Sequence, residues 1–331
     1  MKRVVCFGEL LLRLSPPGDE RFFQSPHLRT WFGGSEANVA VGIAHLGGVS
    51  SYVTRLPENA VGDAALAALR AEGIDVSGIV RGGERMGIYF VEKGAEQRPM
   101  RVVYDRAGSA FSRVDPAELD WPALLRGAEW LHLSGITPAL GDGPARAAQD
   151  AAEAARSLGV KVSVDLNYRP ALWGDRDPKQ VVPALVRDCD LLVGNPGAAA
   201  AMLGVQSGDG DPHDPAFVRC AAQRIAAEHG CRAVAITLRD VVGASEHRWS
   251  AALWDGAALH QARRWTVRVV DRVGGGDSFA AALIYALQDG REAASAVEFA
   301  TAAGALKLTI PGDFNRVSAA EVDRLLASPT A

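Results

Sequence analysis

The stretch "DRVGGGDSFAAALIYAL", residues 271 to 287, places three consecutive glycines directly before an aspartate, where a helical pattern begins. Glycine loses more conformational freedom on folding than any other residue, so three together need a purpose that a side chain would obstruct. Phe279, Leu283 and Leu287 recur at helical spacing, which puts Asp277 at or next to a helix N-terminus. Backbone N–H groups there have no partners inside the helix, and the helix end carries a partial positive charge; both favour an anion. Gly274, Gly275 and Gly276 would let those amides face a phosphate as an anion hole. A carboxylate beside such a cradle is electrostatically awkward unless it has a task, and proton abstraction is one. On these residues alone, a tight turn capped by Asp277 stays open as the plainer alternative.

Working outward, "VVCFG" (4 to 8), "WLHLSG" (130 to 135), "VKVSVDLN" (160 to 167), "LLVGN" (191 to 195) and "AVAITL" (233 to 238) are short apolar runs ending in turn residues. Alanine-rich helical segments such as "GPARAAQDAAEAARSLG" and "DPAFVRCAAQRIAAEHG" lie between several of them. This alternation predicts an α/β fold, a doubly wound, mostly parallel sheet flanked by helices, with ligands bound beyond the carboxyl ends of the strands. The segment "GIYFVEKGAEQRPMRVVYDR" (87 to 106) breaks the rhythm and reads as a β-hairpin. With its turn at Glu96 and Gln97, Tyr89 falls opposite Tyr104, and Tyr104 and Arg106 share a face.

Composition narrows the function. A net charge of −4 gives no global attraction to nucleic acid or to an anionic membrane, so an anionic ligand has to be held by local arginines. The four cysteines show no metal or disulfide spacing, and Glu9 and Arg13 interrupt any leader-like apolar run; the chain reads as cytoplasmic with buried thiols. No Gly-Lys pair exists to complete a P-loop, the glycine run lies too late for a dinucleotide fingerprint, and no HExxH is present.

"DRVGGGDSF" and, far upstream, "WFGGSEANVAVGIAHLG" (31 to 47) together resemble the two signatures of the ribokinase-like (PfkB) carbohydrate kinases, in the order that family has them. The resemblance covers essentially the whole chain. It implies a single domain over 1–331 with a small β lid from about 12–32 and 86–107, ATP and Mg2+ as cofactors, and a homo-oligomer paired through the lid. It implies Asp277 as the general base, Gly274, Gly275 and Gly276 as the anion hole, and Asn167, Leu238, Arg239 and Gly243 with Gly274 and Gly276 at the nucleotide. For the substrate it implies Gly34, Asn38, Tyr89, Tyr104, Arg106, Arg169, Asp277 and Asp313, positions matching family members that act on 2-keto-3-deoxy sugar acids.

Arginine grips a carboxylate in bidentate fashion, so Arg106 and Arg169, with Arg13 pointing the same way, fit a sugar acid better than a neutral sugar. Asn38 reads equally well as a ligand to substrate hydroxyls or as a brace for its own glycine turn. A neutral ketose such as fructose, another deoxy sugar acid, or a non-catalytic sugar-binding role remain the competing readings. In "GNPGAAAAML", Ala198 stands where the family often has a glutamate that organises magnesium, which leaves the metal's protein ligands unassigned.

Overall fold

A computed structural model describes residues 1–206 and 210–328. Its centre is a nine-stranded sheet. In spatial order the strands are Leu259–Gln261, Glu246–Trp254, Ala233–Gly243, Leu191–Gly194, Lys161–Asp165, Ala128–Ser134, Arg3–Phe7 and Ser50–Val53, with Trp265–Arg268 also pairing to Glu246–Trp254. From Ala233–Gly243 to Ser50–Val53 every pairing is parallel; beyond it the edge turns antiparallel. Parallel strands need crossovers, and the alanine-rich segments supply them as the helices Asp142–Ser157 and Pro215–His229. Asp214 caps the second by accepting from the Ala216 N–H, and Gly230 ends it in the left-handed conformation (φ 71°). One apolar cluster packs on each face of the sheet: the helices Gly275–Gln288 and Ala293–Lys307 contribute Phe279, Leu283 and Phe299 on one side, and Asp142–Ser157 its buried alanines on the other. Alanine lets these helices approach the sheet closely, which gives so small-residued a core its density.

The predicted strands correspond to observed ones, but "AVAITL" runs on to Gly243 and turns back as Glu246–Trp254. The stretch "TLRDVVGA", expected to follow a strand, is therefore itself half of an antiparallel hairpin. Its β-branched Val241 and Val242 suit an extended chain and are exposed at the tip.

A second sheet of four strands, ordered Arg29–Gly33, Leu11–Ser15, Gly87–Glu92 and Arg101–Asp105, stands over the strand ends. Its outer hairpin has the expected register: Tyr89 pairs with Tyr104, and the turn closes by reciprocal bonds between Ala95 and Arg98, with Glu96 at φ 50°. The rings of Tyr89 and Tyr104 stack at 6.1 Å, and the Arg106 guanidinium lies over Tyr104. The hairpin tip leans on the edge hairpin of the large sheet, where the Ala244 N–H donates to the Glu96 carbonyl (2.8 Å) and the Glu96 N–H to Ser245 Oγ (2.9 Å).

Among the described residues no helix is long and apolar enough to cross a membrane. The four cysteines are free thiols, three of them buried; Cys189 and Cys231, distant in sequence, lie with their sulfurs 3.3 Å apart.

Candidate active site

Between the two sheets, over the carboxyl ends of the parallel strands, runs a cleft of about 900 Å³. Its floor is the N-terminus of Gly275–Gln288. Gly274, not Asp277, is the N-cap, with a left-handed backbone (φ 82°) that only glycine adopts without strain; a Cβ there would also lie 2.4 Å from the Asp313 carbonyl oxygen. The first intrahelical bond runs from the Ser278 N–H to the Gly274 carbonyl, so the amides of Gly275, Gly276 and Asp277 have no acceptor within the helix. A Cβ on Gly276 would meet no atom within 4 Å, so the cradle is open where it faces the cleft.

Asp277 lines this cleft and is 9% exposed. Its carboxylate is aimed by donors from two other segments. Ser35 Oγ donates to Oδ1 (2.9 Å), Asn38 Nδ2 to Oδ2 (2.7 Å), and Asn167 Nδ2 reaches both Ser35 Oγ (2.7 Å) and Oδ1 (3.4 Å). Ser35 and Asn38 open the helix Ser35–His45, and the Gly34 N–H donates to Asn38 Oδ1 (3.3 Å), which fixes the amide's orientation. The Gly34 position has no room for a side chain: a Cβ would lie 2.1 Å from the Glu9 carbonyl oxygen. Burial pushes the Asp277 carboxyl above its ordinary value, against the pull of these hydrogen bonds and of Arg169 and Lys307.

Of the sequence-derived positions, all but Gly243 and Arg13 line this one cleft. Gly243 instead borders a separate cavity of about 450 Å³ shared with the turn of the small sheet, because its strand continues past the cleft before turning. Asn167, grouped with the nucleotide positions, sits at φ 38° with its amide 3.4 Å from Asp277 Oδ1. The Asn38 amide accepts from Gly34 and donates to Asp277, and Asn38 also lines the cleft.

Three residues expected to meet substrate are engaged within the protein. Arg13 is fully buried, donating to Asp271 (2.7 Å) and Asp313 (3.0 Å), and does not line the cleft. The alternating strand Leu11–Ser15 turns it inward, so it is not the carboxylate grip its position suggested. Arg106 donates through Nε (2.8 Å) and Nη2 (2.5 Å) to Glu9, and Tyr89 gives its hydroxyl hydrogen to Asp313. By contrast, Arg169 and Arg239 are exposed in the cleft with no acidic partner among the described residues, as is Arg272, which sequence reasoning missed although it opens the glycine run. Partial burial and mutual repulsion lower the pKa values of Arg239 and Arg272. Three uncompensated guanidiniums around one cleft call for an anionic ligand.

Glu36 and Asp165 were also unanticipated. Glu36, beside Asp277 on the signature helix, accepts from Ser134 (2.6 Å) and Thr137 (2.9 Å), and Asp165 accepts from the Asn167 N–H (2.9 Å). Burial raises both to about 7, the Asp277 charge adding to it. Asn195 caps the helix Pro196–Leu203 by accepting from the Ala198 N–H (2.9 Å), an ordinary strand-to-helix turn.

With an anion cradle at a helix N-terminus, a held carboxylate at its mouth and unpaired arginines around the same cleft, the chain is suited to moving an anionic group onto a small molecule. The chain belongs to the pfkB family of carbohydrate kinases, whose model matches residues 1–319. It is 30% identical to a 2-dehydro-3-deoxygalactonokinase of Haloferax volcanii over 98% of this chain and 96% of that one. It is 31% identical to a 2-dehydro-3-deoxygluconokinase of Thermoproteus tenax over 95% of this chain and 90% of the relative. Among solved structures, a 2-dehydro-3-deoxygluconokinase of Thermotoga maritima superposes with a TM-score of 0.95 at 42% identity, covering 98% of both chains.

Proposed function

We propose that this kinase uses ATP to phosphorylate the terminal hydroxyl of 2-keto-3-deoxygluconate, giving 2-keto-3-deoxy-6-phosphogluconate. The observation that carries the reading is Asp277: a carboxylate aimed by Ser35, Asn38 and Asn167, at the mouth of an open helix N-terminus, in a cleft lined by Tyr104 and Arg106 as well as by Arg239 and Arg272. The relatives named above support the substrate class.

In this reading Asp277 accepts the proton of the acceptor hydroxyl, and the amides of Gly275, Gly276 and Asp277 face the migrating phosphoryl group. Arg169 pairs with the substrate carboxylate; Tyr104 and the Arg106–Glu9 pair wall the sugar end, with the stacked Tyr89 ring behind them. Leu238, Arg239 and Arg272 line the nucleotide end. The glycine cradle and the free arginines fit a polyphosphate.

Magnesium is a looser fit. Among the described residues no cluster of three acidic or metal-ligating side chains exists. Asp165, buried at the strand end without an ion-pair partner, is the residue that would hold the ion, directly or through water; when bound, the ion would neutralise charge between the phosphates. The small sheet covers the acceptor, and the whole chain acts as one unit. Its outer strand Arg101–Asp105 has an open edge with Val103 49% exposed, which supports pairing between copies.

ADP release measured with ATP and a panel of acceptors tests the proposal. The keto-deoxy acid should turn over and fructose should not; efficient use of fructose with none of the acid refutes the substrate. The galactonate epimer belongs in the panel because the Haloferax relative bears that name. Asp277→Asn should abolish turnover while acid binding persists; an unchanged kcat would refute its role as base.

A further inference from the structure

Lys307 ends the helix Ala293–Lys307 and is completely buried, a rare state for an ammonium group. Its Nζ forms no ion pair among the described residues. It donates instead to the carbonyls of Ile310 (3.1 Å) and Gly312 (2.9 Å), in the turn that follows the helix. That turn presses on the glycine loop: the Asp313 carbonyl packs against Gly274, the Gly312 N–H donates to Asp271 (3.1 Å), and a Cβ on Gly274 would lie 3.2 Å from Lys307 Cε.

The surrounding charge explains why a cation is tolerated there. Asp271, Asp277 and Asp313 are all buried nearby, and Arg13 pairs with only Asp271 and Asp313. Burial pushes the Lys307 pKa down, while Asp271, Asp313 and Asp277 push it up. An apolar side chain would seal the same space without this desolvation cost, but would leave two inward carbonyls without donors and three carboxylates facing one cation.

We propose that the Lys307 ammonium is a built-in cation for the glycine loop. Clasping the Ile310 and Gly312 carbonyls, it seats that turn against Gly274 and supplies fixed positive charge behind the amides that face the transferred group. Turnover therefore needs no diffusible monovalent cation. Lys307 acts through Gly274 and its neighbours, as a positioning residue. The inference rests on the kinase reading above.

The test is a salt series with two variants. Wild-type kcat should be the same in potassium and in tetramethylammonium salts. Lys307→Met, which keeps most of the volume without the charge, should stay folded and lose about 10²-fold in kcat, the scale of one lost anion-hole donor, with little change in the KM for the sugar acid. Lys307→Ala should regain activity with ammonium or propylammonium, but not with the bulkier tetramethylammonium. A wild-type rate that climbs with potassium, a Lys307→Met kcat equal to wild type, or a Lys307→Ala loss that no small cation repairs would each overturn the proposal. If Lys307→Ala does not fold, the salt series and Lys307→Met decide. Wild-type turnover in the acceptor panel judges the kinase reading alone, so the two can fail separately.

Discussion

Replacing Gly276 by alanine separates folding from catalysis more sharply than any other change in this cleft. The backbone there lies in the first turn of Gly275–Gln288 outside the left-handed region, and the new Cβ would meet nothing within 4 Å. Alanine is favoured over glycine in helices by up to about 1 kcal/mol, less in a first turn, so Gly276→Ala should be as stable as wild type or slightly more so. The added methyl, however, projects into the volume that the transferred group must enter. The amide itself remains, but pushing the group away from it should cost on the order of losing one anion-hole donor, about 10²- to 10³-fold in kcat, or roughly 3 to 4 kcal/mol of transition-state stabilisation. Gly274→Ala is the companion. With φ 82° and the Asp313 carbonyl 2.4 Å from the new Cβ, it should destabilise by at least about 1 to 2 kcal/mol. Urea midpoints and coupled ADP assays on both variants read the two effects. A Gly276→Ala enzyme with wild-type kcat would mean that the helix N-terminus does not hold the migrating group.

The remaining predictions concern charge. Burial favours the neutral form of the Asp277 carboxyl, so the base is lost as pH falls through its raised pKa. The acid limb of the kcat profile should therefore lie above the ordinary aspartate value near ~3.9, and a limb at or below that value would contradict the assignment. Arg13→Met would leave Asp271 and Asp313 buried without their cation and should cost about 3 to 5 kcal/mol in urea unfolding; an unchanged midpoint would show that other groups carry the cluster. Arg169→Ala should raise KM for the acid and leave KM for ATP nearly unchanged, so an equal effect on both would remove it from the carboxylate. Arg272→Met should raise KM for ATP about tenfold, the equivalent of one charge-assisted hydrogen bond, with no loss of stability. Nucleotide titration checks this, and unchanged affinity would leave Arg272 as surface.

Some of this was legible because the signals are local. The spacing of Phe279, Leu283 and Leu287 located the helix start, and strict alternation around a polar turn gave the Tyr89–Tyr104 register. The two signature motifs, some 240 positions apart by their numbering, meet through Ser35, Asn38 and Asp277. What escaped depends on partners that no local pattern reveals. Arg13, Arg106 and Arg169 are alike as letters, yet the first answers to Asp271 and Asp313, the second to Glu9, and only the third is left free for a ligand. Gly243 lies outside the main cleft because "TLRDVVGA", read as following a strand, continues it and pairs with Glu246–Trp254. Lys307 lies in an alanine-rich helix, where a lone lysine ordinarily marks the solvent side; its burial follows only from the turn that folds back over it.

The tip of the small sheet rests on the edge hairpin through Glu96, Ala244 and Ser245. In the kinase reading, lifting the small sheet to admit an acceptor would break these contacts with the strand pair whose Leu238 and Arg239 line the cleft. In that reading a single joint, far from any atom that reacts, would thus touch both ends of the cleft.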